Sequence, residues 1–166
     1  MAKKTLSDHR QTVENMKVGL SRYLVTRGLA VNLEVGLPSH ARRRADVLAM
    51  DFKGSKVVII EVKSSLQDFK TDKKWQQYLE HCNQFYFAFR RKTWEKVEPL
   101  LPKDKRVGVL VLDKSHNYWH YRITAVRPSQ KRVLTQEQVF SLALRLAFRG
   151  AKYRSKDDVY KGGNSR

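Results

Sequence analysis

A single α/β domain, a mixed β-sheet flanked by helices on both faces, is predicted by three features of this sequence. Segments with helical and strand-like apolar spacing follow in the order helix, three strands, helix, strand, helix, two strands, helix. The third strand, Lys56 to Lys63, is apolar on both faces through Val57, Val58, Ile59 and Ile60, which marks a central strand buried from both sides. The chain has 166 residues, 41% of them apolar, which fits one core and leaves little room for a second.

Each element has its own signal. Residues 7–26 read as a helix: Ser7 can cap it, Val13, Met16, Leu20 and Leu24 recur at helical spacing, and Gly28 follows as a stop. Residues 30–37 alternate loosely and end at Pro38, as a strand does. Residues 45–52 and 56–63 form a hairpin about the turn Lys53-Gly54-Ser55. After Ser64 and Ser65, a helix-like stretch through Cys82 puts Trp75, Tyr78, Leu79 and Cys82 on one face. Gln84 to Phe89 is aromatic and strand-like. A short helix is expected over Thr93 to Leu100, strands over Val107 to Leu112 and Tyr118 to Val126, and an amphipathic helix over Gln136 to Phe148. The domain is thus expected over residues 1–150, with a basic, poorly ordered tail over 151–166.

Composition narrows the function. No long uncharged apolar run is present, so no membrane span is expected. Met1 to Leu6 is basic and polar with no apolar segment behind it, so no secretory signal is expected either. A lone cysteine, Cys82, forms no intramolecular disulfide and suits a reducing cytoplasm. Lys and Arg total 34 against 16 acids, a net charge of +18. That exceeds what solubility requires and points to a polyanionic partner, nucleic acid first.

One constellation carries chemistry. Glu61 and Lys63 share a face at the end of the buried third strand, where charge is costly unless it is paired. The hairpin folds the start of the second strand back to that point, so Asp46 comes close to Glu61. A structural ion pair would satisfy these charges. So would a divalent cation: two carboxylates form a hard-oxygen site suited to Mg²⁺ or Mn²⁺. Zinc is disfavoured, since Cys82 stands alone and His9, His40, His81, His116 and His120 lack ligand spacing. A cation held there would polarise a scissile phosphate and activate water. Lys63 would orient or activate that water, or neutralise charge in the transition state.

Asp46, followed by Glu61-Val62-Lys63 after an apolar strand, resembles the PD-(D/E)xK or restriction-endonuclease-like superfamily, with Ala45 in place of the usual proline. The run Arg43-Arg44-Ala45-Asp46-Val47, Glu61-Val62-Lys63-Ser64-Ser65, Asp68-Phe69, Asp72, Lys74-Trp75, Tyr78, Cys82 and Phe85-Tyr86-Phe87-Ala88 is similar to the MmcB-like DNA-repair endonucleases. The likeness runs from about Glu34 to Ala88. It implies an α-β-β-β-α-β core, a Mg²⁺- or Mn²⁺-dependent DNA nuclease, and Asp46, Glu61 and Lys63 as the catalytic set. Asp46, Glu61 and Val62 are the expected metal residues. A further acid is expected from Glu14 on the first helix or Glu34 on the first strand. Glu34 is favoured, as it lies in the matched region and its neighbours Leu33 and Val35 point away from its face. A homodimer is implied as well, although no residue marks a dimer face.

Around this centre, Arg42, Arg43 and Arg44 are expected to clamp phosphate. Lys74 and Tyr78, on the following helix, and the cluster Arg90-Arg91-Lys92 are further candidates for nucleic-acid contact. Trp75 and Tyr78 fit core packing by default. Asp68 and Asp72 would support the metal residues or cap a helix. Tyr118, Trp119, His120 and Tyr121 offer aromatic surfaces for unpaired bases or for the core. Alternatives to a DNA nuclease are an inactive nucleic-acid-binding module of the same fold, or a nuclease for RNA or branched DNA.

Overall fold

The computed structural model describes residues 6–38, 43–53, 56–114 and 121–161, with side chains from Arg10 to Arg149 in those spans. Its strands are β1 (Leu29–Gly36), β2 (Arg44–Asp51), β3 (Val57–Lys63), β4 (Gln84–Arg90), β5 (Val107–Lys114) and β6 (Tyr121–Arg127). They form one mixed sheet in chain order. β1, β2 and β3 are antiparallel neighbours, β3, β4 and β5 are parallel, and β6 is antiparallel to β5. Every residue of β3 is buried, as its apolar pattern on both faces predicts. The hairpin's predicted turn residues Gly54 and Ser55 lie outside the described residues, but Asp51 N donates to Lys56 O (3.0 Å) and closes it.

The helices are α1 (Leu6–Val25), α2 (Leu66–Thr71), α3 (Arg91–Val97) and α4 (Gln136–Lys161). α1 covers one face with Met16, Leu20 and Leu24, packed on Val47, Val58, Ile60 and Val62. Gly28, at φ 75°, supplies the left-handed residue that turns the chain from α1 into β1. The other face is covered by α2, α3, α4 and a 3₁₀ segment, Trp75–His81. Beneath them Phe85, Phe87 and Phe89 alternate down β4 at 1%, 0% and 0% exposure, with Trp75, Tyr78, Phe69 and Trp94 against them. Each such side chain contributes about 2 kcal/mol by burial.

Three expectations need correction. The stretch after Ser65 is not one helix: α2 stops at Thr71, and the chain resumes as the 3₁₀ segment after Lys74. Asp72 ends α2 because its carboxylate is drawn to Lys63 Nζ, 2.7 Å away, and to the amide of Lys74. At the other end of the chain, α4 continues through Lys161, past the predicted end of the last helix at Phe148. Apolar spacing ends at Phe148, but Ala151, Lys152, Arg154 and Lys156 are helix formers that sustain the helix without it. Finally, Leu33 and Val35 do not share a face. Leu33 packs on the α1 side and Val35 on the opposite one, because Glu34 between them has φ 55° and reverses the alternation.

Candidate active site

By register, Glu34, Asp46 and Glu61 stand in one row across β1, β2 and β3. Leu33↔Val47 and Val35↔Ala45 bracket the Glu34–Asp46 position, and the β2–β3 ladder runs up to Val47↔Ile60, one step short of Asp46 and Glu61. Where that ladder stops, the side chains take it over. Glu61 Oε1 accepts the Asp46 amide (3.1 Å), and Asp46 Oδ2 accepts the Val62 amide (2.8 Å). Hairpin geometry therefore brings Asp46 and Glu61 together as predicted, and Val62 joins them through its backbone.

The pair is electrostatically tense. Burial pushes the Glu61 carboxyl up to about 8, and the negative charge of Asp46 adds to it, while Lys63 pulls the other way. Asp46 is raised as well, first by burial, with Lys17 and the Val62 amide opposing. Backbone amides fix one oxygen of each carboxylate. The others face lysines: Asp46 Oδ1 lies 3.3 Å from Lys17 Nζ, and Glu61 Oε2 lies 3.7 Å from Lys63 Nζ.

Lys63, at 7% exposure, is held by Asp72 at 2.7 Å and lies 5.8 Å from the centre of the Phe87 ring. Burial lowers its pKa, but the Asp72 hydrogen bond and the Glu61 charge outweigh that and raise it overall. It therefore sits in the site as an ammonium. Asp68 takes the other role open to it. Its Oδ2 accepts the Ser64 amide (2.9 Å) and its own amide donates to Ser65 Oγ (3.1 Å), a reciprocal cap at the start of α2.

Sequence reasoning missed Lys17. It comes from α1, is 4% exposed, and bonds Glu34 Oε1 while approaching Asp46 (3.3 Å) and Glu14 (3.5 Å). Burial works against its charge, yet the Glu34 hydrogen bond and the Asp46 carboxylate raise its pKa. The signal was present: Lys17 lies within the stripe Val13, Met16, Leu20, Leu24, where a charge is out of place. Of the two rival acids, Glu34 enters the row beside Asp46. Glu14 stays 59% exposed at the rim and reaches the site only through Lys17.

Among the described residues, no three carboxylate, histidine or cysteine side chains stand in an arrangement that would hold a metal ion. The charge balance nevertheless fits one. The ion pairs form two adjoining groups, Lys17 and Arg44 with Glu14, Glu34 and Asp46, and Lys63 with Glu61 and Asp72, five carboxylates to three cations. With all five ionised, two negative charges would be in excess beside a carboxylate pair whose mutual repulsion adds to burial in raising Glu61. Hard oxygen donors in that state suit a divalent cation.

The expected nucleic-acid residues divide. Arg42 lies outside the described residues, as do Tyr118, Trp119 and His120. Arg43 is half-buried, and Arg44 is exposed with a guanidinium nitrogen 3.6 Å from Glu34 Oε2. Tyr78 is buried; its hydroxyl donates to Arg44 O (3.3 Å) and so fixes the start of β2. Lys74 is exposed, and what ties it to the site is its amide, bonded to Asp72 Oδ1 (3.1 Å). Arg90 and Arg91 line a cleft of about 540 Å³ with Ser64 and Lys114, at the carboxyl ends of β4 and β5. Arg91 is engaged there by a two-point pairing with Asp113 (3.0 and 2.7 Å). Cys82 is a core residue, 1% exposed, its thiol pushed up to about 12 by burial.

Fold and site together define an α/β domain that gathers carboxylates and lysines where β2 and β3 part. The chain belongs to the MmcB-like family, described as DNA repair protein MmcB-like, which matches residues 2–152. Its family thus gives it a DNA-related role, in keeping with its charge of +18. No curated protein matches the chain. Among solved structures, the SPO1766 protein of unknown function from Silicibacter pomeroyi is 28% identical, with a TM-score of 0.69, over 89% of this chain and 91% of that one. Pyrococcus furiosus SfsA, solved in complex with Ca²⁺, is 15% identical with a TM-score of 0.39, over 76% of this chain and 66% of that one. No helix of the described residues is long and apolar enough to cross a membrane.

Proposed function

We propose that this chain is a metal-dependent DNA nuclease of the PD-(D/E)xK kind, hydrolysing phosphodiester bonds in DNA repair or processing. The observation that carries the reading is the pair of half-buried Asp46 and buried Glu61, interlocked through backbone amides and flanked by Lys63. Asp46 and Glu61, with the backbone of Val62, would hold Mg²⁺ or Mn²⁺. Bound there, the ion would act as a Lewis acid on the scissile phosphate and ease deprotonation of a water. Lys63, kept as an ammonium by Asp72, donates hydrogen bonds and neutralises charge developing on phosphorus-bound oxygen. Glu34 is the further acid, and its bond to Lys17 fixes its place in the row. Water oxygen forms the new bond to phosphorus, the P–O bond to the leaving sugar oxygen breaks, and that oxygen takes up a proton.

A second reading has an observation of its own. Lys17 and Lys63 already answer Asp46 and Glu61, so the cluster would also serve as a structural ion network in a DNA-binding module without catalysis.

The test sets single-stranded, duplex and branched DNA and RNA against the protein with Mg²⁺, Mn²⁺ or EDTA. The nuclease reading expects metal-dependent cutting that disappears in Asp46→Ala and Lys63→Ala while binding persists. Salt-sensitive binding with no cutting of any substrate would overturn it in favour of the second reading, and cutting confined to RNA would replace the substrate.

A further inference from the structure

We infer that the groove between the exposed side of β1 and α4 is a track for an unpaired DNA strand, which it feeds into the candidate active site. This deepens the nuclease reading and rests on it for the identity of the polyanion as DNA. The groove holds about 500 Å³ and is lined by Glu34, Gly36, Arg44, Leu144, Arg145 and Phe148, among others. Glu34 belongs to both groove and site, so the two are continuous.

Two features must be explained by one occupant. The first is apolar: Leu144 and Phe148, four residues apart on α4 and both lining the groove, are 49% and 81% exposed. They form a stripe on the helix face turned away from the core residue Leu142, at 0% exposure. The second is cationic. Arg145 reaches across to Gly36 O (3.4 Å), and Arg44 stands on the opposite wall, 65% exposed, tethered to Glu34. An aromatic plane in water beside guanidinium groups is what an unpaired nucleic-acid strand uses, its bases stacking on the ring and its phosphates meeting the arginines. A duplex keeps its bases stacked inside and leaves the ring uncovered. A second copy of this chain would cover the apolar stripe, but it would bring another +18 surface against these arginines.

The experiment measures binding in EDTA, where no cutting competes, using a fluorescein-labelled oligothymidylate and a duplex of equal length. Phe148→Ala is expected to weaken oligothymidylate binding by roughly ten- to a hundredfold, as loss of one base–aromatic stack does. Duplex binding should stay within about twofold. Arg145→Ala is expected to lower the salt slope for the single strand by about 0.7. Thermal melts of both variants serve to show that they remain folded. Unchanged oligothymidylate binding in Phe148→Ala overturns the inference, as does an equal loss on single strand and duplex. A wild-type dimer that Phe148→Ala converts to monomer, with oligothymidylate binding intact, also overturns it and assigns the stripe to a second copy. Failure of the wild type to cut anything with metal would overturn the nuclease reading alone, since the groove is tested without metal.

Discussion

The Lys17 ammonium lies 3.3 Å from Asp46 Oδ1, so a lysine from α1 supplies positive charge to the carboxylate row from the face opposite Lys63. The row thus meets a lysine from each side of the sheet, with carboxylates still outnumbering cations.

Replacing Lys17 by Met removes one of those charges and leaves Glu34 and Asp46 short of a partner. The carboxylates left behind are partly exposed and Glu34 keeps Arg44, so the loss is on the order of 1 kcal/mol. The metal-free variant is expected to melt below wild type. Mn²⁺ should then raise its melting temperature more than it raises that of wild type, because the uncovered carboxylates bind the ion more tightly. Scanning calorimetry with and without Mn²⁺ decides it. Equal shifts for both proteins would detach Lys17 from the metal question.

Glu61 makes a prediction about pH. Its folded-state value is about 8 against an ordinary 4.5, chiefly through burial. The fold therefore favours the protonated acid. Its contribution to stability is fully present below about 4.5, declines as pH rises toward 8, and changes no further above that. Glu61→Gln, which mimics the neutral acid, is expected to be near wild type at pH 5 and more stable by a few kcal/mol, about, at pH 8.5. Urea unfolding in EDTA at the two pH values measures the gap. A gap of the same size at both would show that Glu61 titrates normally.

Asp72 is a positioning residue for Lys63, which it holds at 2.7 Å. Asp72→Asn keeps the shape but removes the charge that raises the Lys63 pKa. Under the nuclease reading, cleavage should fall about tenfold or more, as loss of an outer partner in a metal site does. The basic limb of the pH–rate profile should also move to lower pH, while DNA binding in EDTA is retained. A fall in rate with no movement of that limb would assign Asp72 to folding alone.

Arg90 and Arg91 are neighbours in sequence with different duties. Arg91 is already paired at two points with Asp113, whereas Arg90 lines the same cleft from the end of β4. Arg90→Ala is expected to reduce the salt slope of DNA binding by about one, and Arg91→Ala by clearly less. Fluorescence titrations across a salt series compare them. Equal slopes for the two variants would remove the distinction.

Much of this site was legible because it depends on register. A tight hairpin between two short strands brings Asp46 to Glu61 whatever the surrounding fold, and the apolar strand Val57–Ile60 marks where their charges become costly. Glu34 entered through the family resemblance and through an assumed alternation with Leu33 and Val35. That alternation fails at its left-handed backbone, φ 55°, which the strand-like residues Leu33-Glu34-Val35 do not announce. Lys17 was readable as a charge in an apolar stripe, yet its target lies on strands far along the chain. The break between α2 and the 3₁₀ segment was hidden for the same reason. Thr71-Asp72-Lys73-Lys74 carries no helix-stopping residue, and what ends the helix is the pull of Lys63 from β3 on Asp72.

The takeover of the β2–β3 ladder by carboxylates has a kinetic consequence. The amides of Asp46 and Val62 are tied to side-chain oxygens of the site, not to carbonyls of the partner strand. Their exchange with deuterium therefore reads the state of the site itself. Occupancy by a cation, or protonation of either acid, changes the protection of these two amides ahead of any other pair in the hairpin. The end of the strand pair is an isotope-sensitive gauge of whether the site is loaded.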